Sequence, residues 1–341
     1  MNAKQMIVSM VVAIPLVSRR DGMNALSALG LFTLIMLMLL APAAANAKDV
    51  SVDCNNRKKD NSIQAALDAL DKQGPHTITV SGTCVEYVTI NGFDRLNLLA
   101  NPGASINDPA PAAPEGTVLR IIYSRLVVVD GFTINGGGPN GIGCFAFAAC
   151  HLLNNTVQGA ADFAVFIGRH SSAELFNNTI QNSAGGLQVT FGGDAVMFGG
   201  TIQGITSTTD PEDPGFLGYP AVDVSQHAYL RIGRGGLPSP LIQNNTFDGV
   251  RVSGNSTFVL LNQGVTITSN GGSGIVLNHG SVLEMLGGHI ITDNGGNGVW
   301  VGESSFAFIP PETTLSGNAE PQVECAGTFS NVKGDFVCSN P

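Results

Sequence analysis

Between Val250 and Leu315 the order of apolar and polar positions repeats itself. Val250-Arg-Val-Ser-Gly-Asn-Ser-Thr-Phe-Val-Leu260, Ile275-Val-Leu-Asn-His-Gly-Ser-Val-Leu-Glu-Met285 and Val299-Trp-Val-Gly-Glu-Ser-Ser-Phe-Ala-Phe-Ile309 can be written one beneath another. Each opens apolar–any–apolar, turns through small polar residues with a serine in the seventh place (Ser256, Ser281, Ser305), and closes apolar–any–apolar. Alternation of period two predicts short strands with one face buried. Starts at 250, 275 and 299 lie 25 and 24 residues apart, the spacing of stacked repeats.

The same register extends backwards through Val222-Asp-Val224, Leu187-Gln-Val189, Val165-Phe-Ile167 and Ile142-Gly-Cys144. A second apolar pair follows each start, and a third strand follows an Asn- or Gly-rich corner such as Asn154-Asn-Thr-Val157 or Asn177-Asn-Thr-Ile180. Stacked asparagines can hydrogen-bond along a ladder. Three short strands and three corners per coil predict an all-β chain, a right-handed single-stranded parallel β-helix from about Ile78 to Leu315. A sandwich would require hairpin turns, and few are present.

In chain order, residues 1–47 read as a signal peptide or leader. Arg19-Arg20 precede the apolar run Ala25–Leu40, and the small residues ending at Ala47 suit cleavage there. Met23 is an alternative initiator. Sixteen apolar residues are few for a membrane span. Asn61–Leu70 predicts a capping α-helix, started by Asn61 or Ser62 and closed by Gly74, within a cap over 48–76. The β-helix then occupies 77–318, and 319–341 form a tail.

The string from Asp53-Cys54 through that helix to Gly82-Thr-Cys84 resembles the amino-terminal cap of exported bacterial β-helix proteins of the broad pectin-lyase-like class. The resemblance covers most of the chain after residue 47 and implies fold alone. The class includes lyases, hydrolases, epimerases, tailspikes and non-catalytic surface proteins, and a fold does not select among them. An exported, cysteine-paired protein of the periplasm, outer surface or medium is expected. Cys54 with Cys84 would tie the cap to the first coil, and Cys325 with Cys338 would close the tail. Cys144 and Cys150 can bridge across a corner or remain buried thiols.

Composition narrows the partners. Removing residues 1–47 takes away three basic residues and one acidic, moving the formal net charge from −10 to −12. Lysine is absent between Lys72 and Lys333, so no basic face for nucleic acid is expected.

Outward positions carry any chemistry. The first-strand column reads Phe166, Gln188, Asp223, Arg251, Val276, Trp300, and the second-strand column includes His151, Glu174 and Arg231. A 35-residue step between Leu187 and Val222 marks an inserted loop, Thr206–Tyr219, entering just before Asp223. Its acids Asp210, Glu212 and Asp213, with Asp223, are candidates for Ca²⁺ or for a glycosidase acid and base. Arg251 or Arg231 is a candidate lyase base, and Gln188, Tyr219 and Trp300 complete the ligand-binding candidates. Asp223 beside Arg251 also suits a plain ladder salt bridge. His279 in Asn278-His-Gly280 is similar to the polygalacturonase Gly-His-Gly, but the partner motifs of that class are absent. The leading expectation is therefore a non-catalytic β-helix presenting a long face to polysaccharide or a cell-surface glycan. The alternative is a polysaccharide lyase or glycoside hydrolase acting on an acidic polysaccharide near 206–220.

Overall fold

The computed structural model describes residues 47–56, 61–110, 116–136, 138–207, 218–233, 236–261, 264–327, 330–334, 336 and 338. The expected leader, Ala47 apart, lies outside them. Among the described residues the chain winds as a single-stranded parallel β-helix of three sheets, all paired parallel. In one coil Ile142–Phe145 belongs to a ten-stranded sheet (sheet C), Ala149–Leu153 to a twelve-stranded sheet (sheet A) and Thr156–Gln158 to a second ten-stranded sheet (sheet B). The chain then re-enters sheet C at Phe163–Ile167, one rung on.

Side chains alternate about each strand, so one residue in two enters a continuous core. In Val222–Val224 and Val250–Val252 the valines are fully buried and Asp223 and Arg251 half-buried. The register is the expected one: Val165 pairs with Leu187, Leu187 with Val222, Val222 with Val250, Val250 with Ile275 and Ile275 with Val299. The 35-residue step leaves this stacking intact, with Leu187 in register with Val222 across it.

Corners are held by polar ladders. Asn155 Nδ2 donates to Asn178 Oδ1 at 3.1 Å between sheets A and B. A second column, at the corner from sheet B to sheet C, joins Asn245, Asn270, Asn294 and Asn318 by amide bonds of 2.8–2.9 Å. The repeated serines form a third, in which Ser281 Oγ accepts from Ser256 N at 3.4 Å and Ser305 Oγ from Ser281 N at 3.2 Å. These buried groups would each cost about 1–3 kcal/mol if left unpaired, so the ladders fix coil upon coil.

The cap helix spans Ile63–Asp68 with Ser62 as N-cap, its side chain accepting from Ala65 N. Glu86 completes the cap, its two oxygens accepting from Ile63 N at 2.9 Å and Gln64 N at 3.0 Å. Ile63 and Leu67 are fully buried and seal the first coil. Gly74 does not close this helix. Ala69 is the C-cap, and Gly74 already lies in the strand Gln73–Ser81, where a Cβ would strike the backbone at Asp94 and Arg95.

Stacked strands also run past the expected limits of the solenoid. Lys48–Asp53 pairs with the strand after the helix. At the other end Val323–Ala326 and Asn331–Gly334 continue sheets C and A. Cys54 is bonded to Cys84, Cys144 to Cys150 and Cys325 to Cys338. Among the described residues no helix is long and apolar enough to cross a membrane.

Candidate functional site

The outer face of sheet C collects most of the expected residues. Gln188, Asp223, Arg251, Val276 and Trp300 are successive register partners in one outward row. Neighbouring coils lie about 4.8 Å apart, which places Trp300 three rungs from Asp223. The ring of Trp300 lies over Gly302, where a Cβ would collide with it.

Asp223 is the centre of the patch. Its Oδ2 accepts from Gln188 Nε2 at 2.8 Å and from Ser225 Oγ at 3.0 Å. Burial pushes its carboxyl above the ordinary aspartate value, while the two hydrogen bonds and the charge of Arg251 pull the other way. A second aspartate, Asp162, stands in the corner that precedes the strand Phe163–Ile167. Burial raises its carboxyl too, the negative charge of Asp223 adds to that, and a hydrogen bond from Tyr219 opposes it. Oδ1 of Asp162 is buried without a partner. The ring of Tyr219 packs against Phe163 with centroids 4.8 Å apart. Burial thus favours the protonated form of both carboxyls.

Arg251 is placed beside Asp223 in register but is not its ion-pair partner. Its Nη2 lies 2.8 Å from Asp248 Oδ2, and Nη1 donates to Gly218 O at 3.3 Å. Asp248 Oδ1 in turn accepts from Ser273 N at 2.9 Å. The expected ladder salt bridge is thus replaced by a pairing three residues back along the same segment, because Asp248 sits at the corner within easier reach. Arg251 consequently anchors one end of the inserted loop. The neck of that loop is closed by Tyr219 N donating to Ser207 Oγ at 2.9 Å. Asp210, Glu212 and Asp213 lie outside the described residues.

Arg231 is not part of this patch. It projects from sheet A, in register with Val196 and Val259, and its Nη2 lies 3.8 Å from Asp194. His279 occupies an exposed turn and pairs with Glu303 at 2.8 Å. Cys54, Cys84 and Glu86 come close enough to suggest a metal group. The cysteines are bonded to each other and the carboxylate caps the helix, so their roles are structural.

Sequence reasoning missed Asp162 and Asp248. Both stand at corners, where no alternation marks which way a side chain points. It also stopped the outward row at Ile142, although Leu119-Arg-Ile121 has the same apolar–any–apolar form one step earlier. Arg120 is the register partner of Gly143 and so belongs to the row.

Fold and site together define a parallel β-helix with a carboxyl-rich patch on one outward face. No protein-family model matches the chain. A cell surface glycoprotein of Methanothermus fervidus is 33% identical over 133 residues, 38% of this chain and 21% of that protein. The chain thus spans about a fifth of the length of that relative. Among solved structures, the A-module of an Azotobacter vinelandii mannuronan C-5 epimerase is similar over 82% of this chain and 93% of that one, at 12% identity and a TM-score of 0.46. A pectate lyase is similar over 87% and 80%, at 13% identity and 0.42. At these values the likenesses say nothing of activity, and the fold rests on the strand register itself.

Proposed function

We propose that this chain is an extracellular β-helix that binds polysaccharide along the outer face of sheet C, without cleaving it. The observation that carries the reading is the row itself: hydrogen-bonding and aromatic side chains stand at rung spacing along in-register strands, a geometry suited to an extended polymer lying parallel to the axis. Three disulfides fit an oxidising compartment, and the partial relative named as a cell surface glycoprotein agrees with an outer location. Against catalysis by an arginine base, Arg251 is paired with Asp248 and Arg231 with Asp194. A guanidinium so paired already has a carboxylate as its partner.

A second reading, glycoside hydrolysis, is favoured by one observation: the raised carboxyls of Asp162 and Asp223 influence each other within one patch. Incubation with neutral and acidic polysaccharides, with and without Ca²⁺, separates the two. Retardation in affinity gels without new reducing ends is the expected result. New reducing ends that vanish in Asp223→Asn would establish a hydrolase, and absorbance growing near 235 nm would establish a lyase. Failure to bind any polysaccharide would remove the first reading.

A further inference from the structure

Followed toward the amino terminus, the same row changes its charge. Arg120, Gly143, Phe166, Gln188 and Asp223 are successive register partners, so Arg120 lies about 19 Å from Asp223 along the axis. Gly143 leaves its outward slot open and the ring of Phe145 occupies it; a Cβ on Gly143 would strike that ring. Phe145 stacks on Phe166 with centroids 4.8 Å apart. The guanidinium of Arg120 stands 5.6 Å from the Phe145 centroid and ends the stack. Beside it opens a cleft of about 450 Å³ lined by Tyr87, Thr89, Thr117, Arg120, Phe145 and Arg169.

Both arginines of this cleft are exposed, and among the described residues no carboxylate pairs with either. Elsewhere Arg95, Arg125, Arg231 and Arg251 each have an aspartate. In a chain of net charge −10, two exposed guanidinia with no carboxylate partner among the described residues, one of them beside the Phe145 ring, are suited to an anionic group on a ring. Two and four rungs on, Asp162 and Asp223 bring carboxyl groups to the same side, and Asp248, five rungs on, is paired with Arg251. A polymer with an acid on every sugar would set one of its charges against them. A polymer whose acids are separated by neutral sugars meets the arginines with an anion and the carboxyls with hydroxyls.

Resting on the polysaccharide-binding reading above, we propose that Arg120 and Arg169 seat one anionic group, carboxylate, sulfate or phosphate, of a sparsely charged polysaccharide whose neutral stretch crosses Gln188 and Asp223. Uniform polyuronates are then poor ligands. The test is affinity electrophoresis and calorimetry of the full chain with dextran (neutral), gellan (one carboxylate in each repeat), lightly sulfated dextran, and polygalacturonate (a carboxylate on every sugar).

Gellan or lightly sulfated dextran is expected to bind at least tenfold more tightly than dextran or polygalacturonate, and the better of the two identifies the anion. Arg120→Gln and Arg169→Gln are each expected to remove that tenfold preference and most of its salt dependence. Arg231→Gln, on sheet A, is expected to leave both unchanged. Equal or tighter binding of polygalacturonate overturns the sparse-charge assignment. Undiminished binding by both arginine variants overturns the cleft, with the polysaccharide reading left standing. No binding to any of the four polymers overturns the two together.

Discussion

Replacing His289 with valine should make the protein markedly more resistant to mild acid. The imidazole is 1% exposed, and only the nearby backbone of Leu260 and Leu286 offsets part of its desolvation. Burial lowers its pKa from the ordinary 6.5 to about 4. Its folded form is therefore neutral through the range in which the unfolded chain takes up a proton. Above pH 6.5 both states are neutral and the residue adds no pH dependence. As pH falls from 6.5 toward 4, stability is lost at up to about 1.4 kcal/mol per pH unit, reaching about 3 kcal/mol. Valine is a compatible replacement, since Val265 holds the same corner position one coil earlier and Thr313 one coil later. Urea unfolding of both proteins at pH 7.5 and 4.5, read by circular dichroism, measures the difference. The gap between variant and parent should shift by about 2–3 kcal/mol in favour of the variant at the lower pH. Asp162 and Asp223 act in the opposite sense, their raised carboxyls favouring the fold as pH falls, but they are common to both proteins and cancel. Parallel loss of stability in the two proteins would refute the assignment.

Asn270→Ala removes the middle of a four-residue ladder, taking one partner each from Asn245 Nδ2 and Asn294 Oδ1 and the Asn270 amide bond to Ile242 O. A loss of about 2–4 kcal/mol is expected in the same urea assay, whereas a loss below about 0.5 kcal/mol would mean that the ladder adds little. By loop length, removing Cys54–Cys84, 30 residues apart, should cost about 4 kcal/mol, and removing Cys144–Cys150, 6 residues apart, about 2 kcal/mol. The reverse ranking would contradict the loop-entropy account. Gln188→Leu deletes a hydrogen bond that lowers the Asp223 carboxyl, so its pKa should rise further when followed by carboxyl ¹³C NMR. An unchanged or lowered value would break the link between the two residues.

How much was legible in the sequence follows from what alternation reports. Strand positions declare their direction, because Val222 and Val224 cannot face water while Asp223 fills the core. The register of every rung from Ile142 to Val299 could therefore be read by aligning apolar pairs, and the outward row with it. Corners carry no such signal. Asp162 and Asp248 meet the row from corner positions that no period identifies, and so the partner of Arg251 was misplaced by a few ångströms. The Asn245–Asn318 column was hidden for a related reason: its members follow the strands of sheet B, whereas the strings Asn154-Asn-Thr156 and Asn177-Asn-Thr179 lie at the corner before them. Arg120 was legible and passed over, since Gly143 interrupts the run of outward side chains with an empty slot that only the folded ring of Phe145 fills.

The binding face is tested most directly by hydroxyl-radical footprinting of the full chain with and without a bound polysaccharide. Tyr87, Phe145, Phe166 and Tyr219, all on the sheet C side, should lose oxidation on binding, while Tyr229 and Phe308 on sheet A keep theirs. Protection of Tyr229 and Phe308 with Phe145 and Phe166 still oxidised would contradict the account.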